Sequence, residues 1–401
     1  MTTSPWNASA AIEPGFDSHG TPAERSLDIR FTGSGSEYFR IWIVNLLLTI
    51  VTLSLYHPWA KVRRLRYFYG NTLVDGHALD FHGNPWKMLR GYLLVGAMVL
   101  LYSVSGKFSP VAGLVAFLIV AAVWPALFKA SMQFRLANTS WRGLRFRFKG
   151  DTAGAYRAML PLFLPGLAVL VMVLGVPDPV HPPSWYLPSF FCAMLAALLV
   201  TPWLLWSLKK YQHDNYALGQ VQTGFKAKVS SLYGVFLQTF GVSLLAGVMM
   251  AVVVGVLVMI GAATVIAAGK DMGRNPTVAL IAGLVIIMVM MLLMQLLPRP
   301  FFESRLQNLL WGKTAASQLQ FKSALRFGPF FWLTIKNWFL MVFTLGLYWP
   351  FARVALARMR LEAVSMVTTL DLDQLHEHLR LADGDAAGDA AGDLFGIDIG
   401  L

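Results

Sequence analysis

The sequence predicts an all-α polytopic membrane protein, with six to eight membrane helices in degenerate internal repeats, short cytoplasmic β-strands and interfacial helices. Composition is the first observation: of 401 residues, 56% are hydrophobic and 13% are charged, whereas an average soluble chain carries about 25% charged residues. Several apolar stretches approach or exceed the roughly 20 residues that a membrane-crossing helix needs. Basic connections and short motifs recur between them.

Apolar stretches define the membrane segments. Six are long enough, or nearly so, to cross as helices: 91–108, 110–128, 158–176, 185–206, 234–268 and 277–297. Two more, 41–56 and 330–348, are short. This count gives the predicted range of six to eight.

Basic residues predict the orientation. The chain has 33 Lys and Arg against 21 Asp and Glu, and four of the connections hold 22 of these cations, whereas the alternate connections hold 3. The positive-inside rule places the basic connections in the cytoplasm. Because topology accounts for the basic composition, a nucleic-acid partner is the weaker explanation.

Short motifs recur along the chain and indicate an internal repeat. A tripeptide of Phe, a polar residue and a small residue begins at five positions: 31, 81, 148, 225 and 321. A proline motif at 58 is echoed at 300, and more weakly at 125, 202 and 350. Residues 45–62 and 337–354 match best, which suggests that the two ends of the chain share an ancestor.

Each repeat combines helical and strand signals. The aromatic and basic residues after the proline suit an interfacial amphipathic helix, and Asp75 followed by Gly76 is typical of a tight turn. Period-2 alternation over 77–81 and 144–148 predicts strands. Strands on one side of the membrane are expected to pair into a small cytoplasmic sheet, because an isolated strand is unstable.

The placement of the short flanking segments is a point of conflict. If like motifs share a compartment, 41–56 and 330–348 begin and end in the cytoplasm and do not cross, so that both termini are cytoplasmic. Against this, 41–56 has no Gly or Pro to turn the chain, and as a helix it would extend about 24 Å. Six crossings with two shallow segments is the preferred interpretation.

Three regions follow from composition. Residues 1–26 form a tail that is expected to be disordered and carries no signal peptide; 27–380 form the repeat-built membrane domain; 381–401 form an acidic tail expected to be disordered. The single cysteine, Cys192, excludes an intramolecular disulfide.

One stretch carries a family resemblance: FTGSGSEYFRIWIVNLLLTIVTLSLYHPWAKVRRLRYFYGNT, residues 31–72, with its echoes at 300 and 337 and the C-terminal LFGIDIGL. It resembles the YjgN family of bacterial inner-membrane proteins, a domain family of unknown function. The resemblance covers nearly the whole chain from about residue 27. It implies a multi-pass inner-membrane protein and supplies no catalytic residues.

Polar side chains within the short apolar segments are the first candidate site, since polar groups at membrane depth are costly and often functional. The candidates are Asn45, Thr49, Thr52, Lys336, Asn337 and Thr344. The alternative is structural: Asn or Thr bonds across a helix pair, and Lys336 extends to the headgroups.

Basic residues in an aromatic cytoplasmic layer are the second candidate site, for anionic headgroups or a soluble anion. They are Lys61, Arg63, Arg64, Arg66, Arg142, Arg145, Arg147 and Lys149. The alternative is that they only orient the protein.

The sequence shows no catalytic arrangement. His77 and His82 point to opposite faces of a strand, and His376 and His378 lack the spacing of a helical zinc pair, so we expect no metal and no cofactor.

Among the possible functions, a transporter or channel-like protein ranks first, the alternative is a scaffold or anionic-lipid-binding protein, and an enzyme ranks third. Membrane lipids are the expected partners; a protein partner and the oligomeric state are not predicted. A polar cavity at mid-depth would favour transport, and one on the cytoplasmic face would favour lipid binding.

Overall fold

A computed structural model describes residues 25–176, 181–219, 221–268, 296–316 and 319–368. These residues are mostly helical, and their helices are α1 (Gly35–Val51), α2 (His57–Gly70), α3 (Pro85–Phe108), α4 (Pro110–Ala137), α5 (Thr152–Met159), α6 (Leu164–Leu174), α7 (Tyr186–Asp214), α8 (Val229–Ala268), α9 (Pro298–Gly312), α10 (Phe327–Phe343) and α11 (Trp349–Glu362). A 3-10 turn, Leu160–Phe163, joins α5 to α6.

In the part of the chain that the structure describes, eleven short strands form one antiparallel sheet. They are β1 (Arg25–Phe31), β2 (Thr72–Val74), β3 (His77–Phe81), β4 (Thr139–Trp141), β5 (Leu144–Phe148), β6 (Tyr216–Leu218), β7 (Val221–Gln222), β8 (Gly224–Phe225), β9 (Thr314–Ala315), β10 (Leu319–Ser323) and β11 (Val364–Thr368). The sheet follows chain order from β1 to β7 on one side and from β11 back to β8 on the other, with β1 paired to β11. Its two end strands, β7 and β8, are separated by Thr223 alone. The strands therefore form a nearly closed ring.

The sheet curls around an apolar core. Leu27, Val74 and Trp141 are buried together, and Val221 of β7 packs against them. β7 lies three strands or more from the strands of these residues, which is about 14 Å in a flat sheet. The contact therefore requires strong curvature, and the core fills the inside of the ring.

The chain leaves the sheet and returns to it five times. The last residues of the outgoing strands pair with the first residues of the returning strands: Phe31 with Thr72, Phe81 with Thr139, Phe148 with Tyr216, Phe225 with Thr314 and Ser323 with Val364. The helices between them pack in chain order, and α1 packs against α11. Helices and strands thus close the same ring of five units.

Each helix that returns to the sheet (α2, α4, α7, α9 and α11) has a proline thirteen positions before the first residue that follows the helix. These prolines, at 58, 125, 202, 300 and 350, are all buried. In three units this following residue is an Asn whose side-chain nitrogen donates to the carbonyl four residues earlier: Asn71, Asn138 and Asn215. These recurring contacts support the repeat interpretation.

Five helices are long and apolar enough to cross a membrane, among the described residues: Pro85–Phe108, Pro110–Ala137, Thr152–Leu174, Tyr186–Asp214 and Val229–Val256. They contain the first two predicted stretches, all but one or two residues of the third and fourth, and most of the fifth. The sixth, 277–297, and both predicted tails lie almost wholly outside the described residues, although β1 begins at Arg25, two residues before the predicted domain start. The total number of crossings therefore stays a prediction.

The predicted strands at 77–81 and 144–148 are present as β3 and β5. Asp75 and Gly76 both have positive φ between β2 and β3, which is the backbone of a type I′ hairpin turn. The sheet is nevertheless far larger than the small sheet expected, so the term all-α understates it. The reason is that strands of two or three residues, such as β7, β8 and β9, are too short for periodicity to reveal.

Candidate functional site

A pocket of about 190 Å³ lies between α1, α2 and the start of α11. One face of α1 supplies Tyr38, Trp42, Asn45 and Thr49, spaced by three or four residues. One face of α2 supplies His57, Lys61 and Arg64, and α11 supplies Trp349. The pocket therefore joins members of both candidate sets, the polar residues of α1 and the cations of α2.

The turn between α1 and α2 brings these two faces together. Leu53 and Ser54 have left-handed φ angles of 48° and 71°, which reverse the chain without Gly or Pro. The Thr52 hydroxyl donates to the Leu48 carbonyl at 2.7 Å and accepts the Tyr56 amide at 3.0 Å. Thr52 thereby holds the turn, and α2 returns along α1 to the sheet.

Asn45 brings an unsatisfied acceptor to the pocket. The residue is 7% exposed, and its side-chain Oδ1 has no hydrogen-bond partner among the described residues. Leaving a buried polar atom unpaired costs about 1–3 kcal/mol. A ligand that donates a hydrogen bond here would recover that energy.

Positive charge is concentrated on the α2 side of the pocket. Burial lowers the pKa of Lys61, and the charges of Arg64 and Arg135 lower it further. Partial burial, with Arg64 and Lys61, lowers the pKa of His57. Within the described part of the chain, neither Lys61 nor Arg64 forms an ion pair with a carboxylate. The cations are thus available to an anionic ligand.

Aromatic rings surround the pocket. Trp349 lies 5.9 Å from Trp42 and 6.2 Å from Tyr38, measured between ring centroids. Burial raises the pKa of Tyr38, against the opposing charges of Arg64 and Arg353, so Tyr38 keeps its hydroxyl proton. Such amphipathic rings are typical of the headgroup level of a membrane.

The other predicted polar residues lie elsewhere. Thr344 holds the turn after α10 as Thr52 does after α1, donating to the Leu340 carbonyl at 2.6 Å and accepting the Tyr348 amide at 3.0 Å. Asn337 is 1% exposed, and both its side-chain polar atoms lack a partner among the described residues. Lys336 is exposed, which favours the interpretation that it extends to the headgroups.

The structure divides the predicted headgroup-binding cations into groups. Arg63 and Arg66 are exposed on α2, away from the two that line the pocket. Arg145, Arg147 and Lys149 alternate with Leu144 and Phe148 along and just after β5, and are exposed where those two are buried. Arg142 lies in the β4–β5 turn, over the ring of Trp141.

Metal-binding side chains do not gather in the described residues, where no group of three or more His, Cys, Asp or Glu is found. The His82 ring bonds to the Ser140 hydroxyl at 2.8 Å, and the His77 ring to the Asp75 carbonyl at 2.9 Å. His376 and His378 lie outside the described residues.

Comparison with known proteins gives the family. A profile of the family described as "Bacterial protein of unknown function (DUF898)" matches residues 26–394. The chain belongs to this family. The resemblance predicted from residues 31–72 is thereby confirmed, since relatives named YjgN are among the matches.

Two relatives illustrate the match. Inner membrane protein YjgN of Salmonella typhimurium (strain LT2) is 31% identical over 150 residues, which cover 36% of this chain and 37% of the relative. Inner membrane protein YjgN of Escherichia coli (strain K12) is 31% identical over 149 residues, covering 36% and 35%. The alignments thus span little more than a third of these relatives. No solved structure matches the chain.

Membership of this family and the five long apolar helices together support the predicted class, a multi-pass membrane protein.

Sequence reasoning missed Tyr38, Trp42, His57 and Trp349 as pocket residues. The signal for the first two was their helical spacing from Asn45. Trp349 gave no such signal, because it reaches the pocket only through the packing of α1 against α11.

Proposed function

We propose that this membrane protein binds anionic phospholipid at the membrane surface, with the headgroup in the pocket between α1 and α2. The observation that carries the proposal is the convergence of Lys61 and Arg64 with the unpaired Asn45 Oδ1. Lysine and arginine are the usual partners of phosphate. The Asn45 oxygen accepts a hydrogen bond from a headgroup hydroxyl, as in phosphatidylglycerol.

The size and surroundings of the pocket support this occupant. Its volume of about 190 Å³ is below the 300–1,000 Å³ of pockets for drug-sized ligands, so it suits a headgroup and not a large solute. Beside it α1 exposes Leu47, Ile50 and Val51, which offer an apolar surface to acyl chains. On the predicted topology, the lipid belongs to the cytoplasmic leaflet.

The test compares two arginines of one helix. Full-length protein is assembled in nanodiscs of equal phosphatidylglycerol and phosphatidylethanolamine, and the lipid that stays bound is identified by native mass spectrometry. We expect wild type to retain phosphatidylglycerol and Arg64→Gln to lose most of it. Arg63→Gln is the matched control, because Arg63 is exposed and lies over the Tyr56 ring at 5.7 Å.

Two results would contradict the proposal. One is equal retention of phosphatidylglycerol by Arg64→Gln and Arg63→Gln, which would reduce the basic residues to an orientation signal. The other is a wild type that retains both lipids in the proportion supplied.

Transport is the second candidate function. The observation that favours it is the ring of helices, in which α1 packs against α11. The apolar core of the sheet fills the ring at one end, so conduction would require the sheet to open.

A further inference from the structure

The pocket between α1 and α2 has a third basic residue, His57, whose charge depends on pH. His57, Lys61 and Arg64 all line the pocket, and their spacing of four and three residues places them on one face of α2. Histidine changes its charge near neutral pH, whereas lysine and arginine titrate at much higher pH. The pocket therefore presents two or three cations to a ligand, depending on pH.

Contacts with the neighbouring elements fix the imidazole of His57 at the edge of the pocket. Its ring stacks on Tyr92 of α3, with 5.4 Å between ring centroids and 26° between ring planes. Its backbone amide donates to the Ser54 carbonyl at 3.1 Å, within the turn that joins α1 to α2. The residue remains exposed, so protons from the solvent reach the ring.

The surroundings of His57 are basic. The titratable or charged groups around it are Lys61 and Arg64 on α2, Tyr38 on α1, Tyr92 on α3, and Arg353 on α11, which lies over the pocket residue Trp349. None of the residues that line the pocket is Asp or Glu. His57 is also the first residue of α2, where the helix dipole disfavours a cation. The ring is therefore neutral at neutral pH when no anion is bound.

A bound phosphate reverses this balance. Partial burial, with Arg64 and Lys61, holds the pKa of His57 below its ordinary value, and a negative charge within about 4–6 Å favours the protonated imidazole. The pKa of His57 is then higher with the anion than without it. By linkage, binding takes up protons, so affinity rises as pH falls from the higher pKa to the lower and is constant below that.

We propose that headgroup binding in this pocket is coupled to protonation of His57, so that the protein holds anionic phospholipid more tightly in acid and releases it in alkali. The inference rests on the proposed function, because it concerns the regulation of the same pocket. A protonated imidazole adds a charged donor beside Lys61 and Arg64. The phosphodiester of phosphatidylglycerol stays ionised at these pH values, so the lipid itself adds no pH dependence.

The experiment uses full-length protein in nanodiscs of phosphatidylcholine. Water-soluble, short-chain phosphatidylglycerol is titrated at about pH 8 and about pH 5.5, on either side of the ordinary pKa of histidine, and titrations of empty nanodiscs are subtracted. Calorimetry in buffers of different ionisation enthalpy measures both the affinity and the protons taken up. For wild type we expect affinity to rise about tenfold in acid, the low end of the effect of one opposite charge on a pKa, with net proton uptake.

Three variants assign the proton to His57. His57→Gln is expected to bind with the same affinity at both pH values and to take up no proton. His57→Lys carries a permanent charge, so it is expected to bind equally at both pH values and more tightly than His57→Gln, which also shows that the position tolerates substitution. His82→Gln is the matched control, because His82 is exposed and bonds to Ser140 outside the pocket; it is expected to behave as wild type.

Arg64→Gln separates this inference from the proposed function. If wild type binds equally at both pH values without proton uptake, and Arg64→Gln loses binding, the headgroup site stands and its coupling to His57 is overturned. A pH dependence that persists in His57→Gln also overturns the coupling, because another group then titrates. If wild type binds no phosphatidylglycerol, or Arg64→Gln binds it as tightly as wild type, the proposed function and the inference fail together.

Discussion

At the scale of single residues, the asparagine that α1 and α10 share lies in different surroundings in the two helices. Asn45 of α1 and Asn337 of α10 occupy matching places in the two best-matched stretches. Arg64 near the first corresponds in sequence to Leu356 near the second, and Tyr38 corresponds to the fully buried Phe330. The first Asn therefore lines an open basic pocket, whereas the second is enclosed; Arg353 stands where Lys61 does, but no cation stands where Arg64 does.

This difference predicts that replacing each Asn by Leu has a different effect. Replacing Asn337 by Leu removes two unpaired buried polar atoms, so we expect the free energy of unfolding to rise by about 1–3 kcal/mol. Lipid retention is expected to be unchanged. Asn45→Leu is expected to lose phosphatidylglycerol. Chemical denaturation and native mass spectrometry measure both effects, and a destabilised Asn337→Leu would show that this amide has a partner in the membrane.

A second residue-scale prediction concerns the turn between α1 and α2. Ser54 has a left-handed backbone, and its counterpart in the last unit is Gly346, with φ of 89°. A non-glycine residue in this region costs about 1–2 kcal/mol. Ser54→Gly is therefore expected to stabilise the protein by about 1 kcal/mol, and Gly346→Ser to destabilise it by a similar amount, in thermal unfolding. If Ser54→Gly lowered stability, α1 and α2 would not turn here.

At the scale of elements, the junction of strand and helix repeats most closely. Phe31, Phe81 and Phe148 are buried at their strand ends, and each is followed two residues later by a glycine. At Gly83 an added Cβ would lie 2.5 Å from the Phe81 ring. The recurring Phe tripeptide therefore marks a close contact of a ring with the backbone, which explains the small third residue.

That contact can be tested with a pair of alanine substitutions. Gly83→Ala forces the Phe81 ring to move, so we expect a loss of about 1–3 kcal/mol of stability, the usual cost of overpacking. Gly70→Ala is the control, because a Cβ there meets nothing within 4 Å and alanine favours a helix end. Similar stability of the two variants would show that the ring does not cover Gly83.

Much of this element structure is predictable from local signals. Long apolar runs predict α3, α4, α6, α7 and α8, and alternation predicts β5. The return of α1 to the sheet was inferred only from motif positions, because Leu53 and Ser54 give no turn signal. The grouping of Lys61 with Asn45, and not with Arg63, depends on which helix face packs inward. That information lies in tertiary contacts and not in local sequence.

At the scale of the whole molecule, the two ends of the described chain complete the ring. β1 pairs with β11 over Arg25 to Asp28, and α1 packs against α11. Trp349, on α11, completes the headgroup pocket. A pairing across more than 330 residues has no local signature, so sequence alone predicted neither the closure nor the part of the pocket that depends on it.

Ring closure is therefore the central claim, and one cross-link tests it most directly. Ser26 and Val367 are Cα partners on β1 and β11, within the usual 4.4–6.8 Å of a disulfide for paired strands. In a Cys192→Ser background, we expect Ser26→Cys with Val367→Cys to form an intramolecular disulfide in oxidised membranes, detected as linked peptides by mass spectrometry. Ser26→Cys with Gln320→Cys should not, because β10 lies one strand further away. Absence of the first disulfide, or equal formation of both, would contradict a ring closed between β1 and β11.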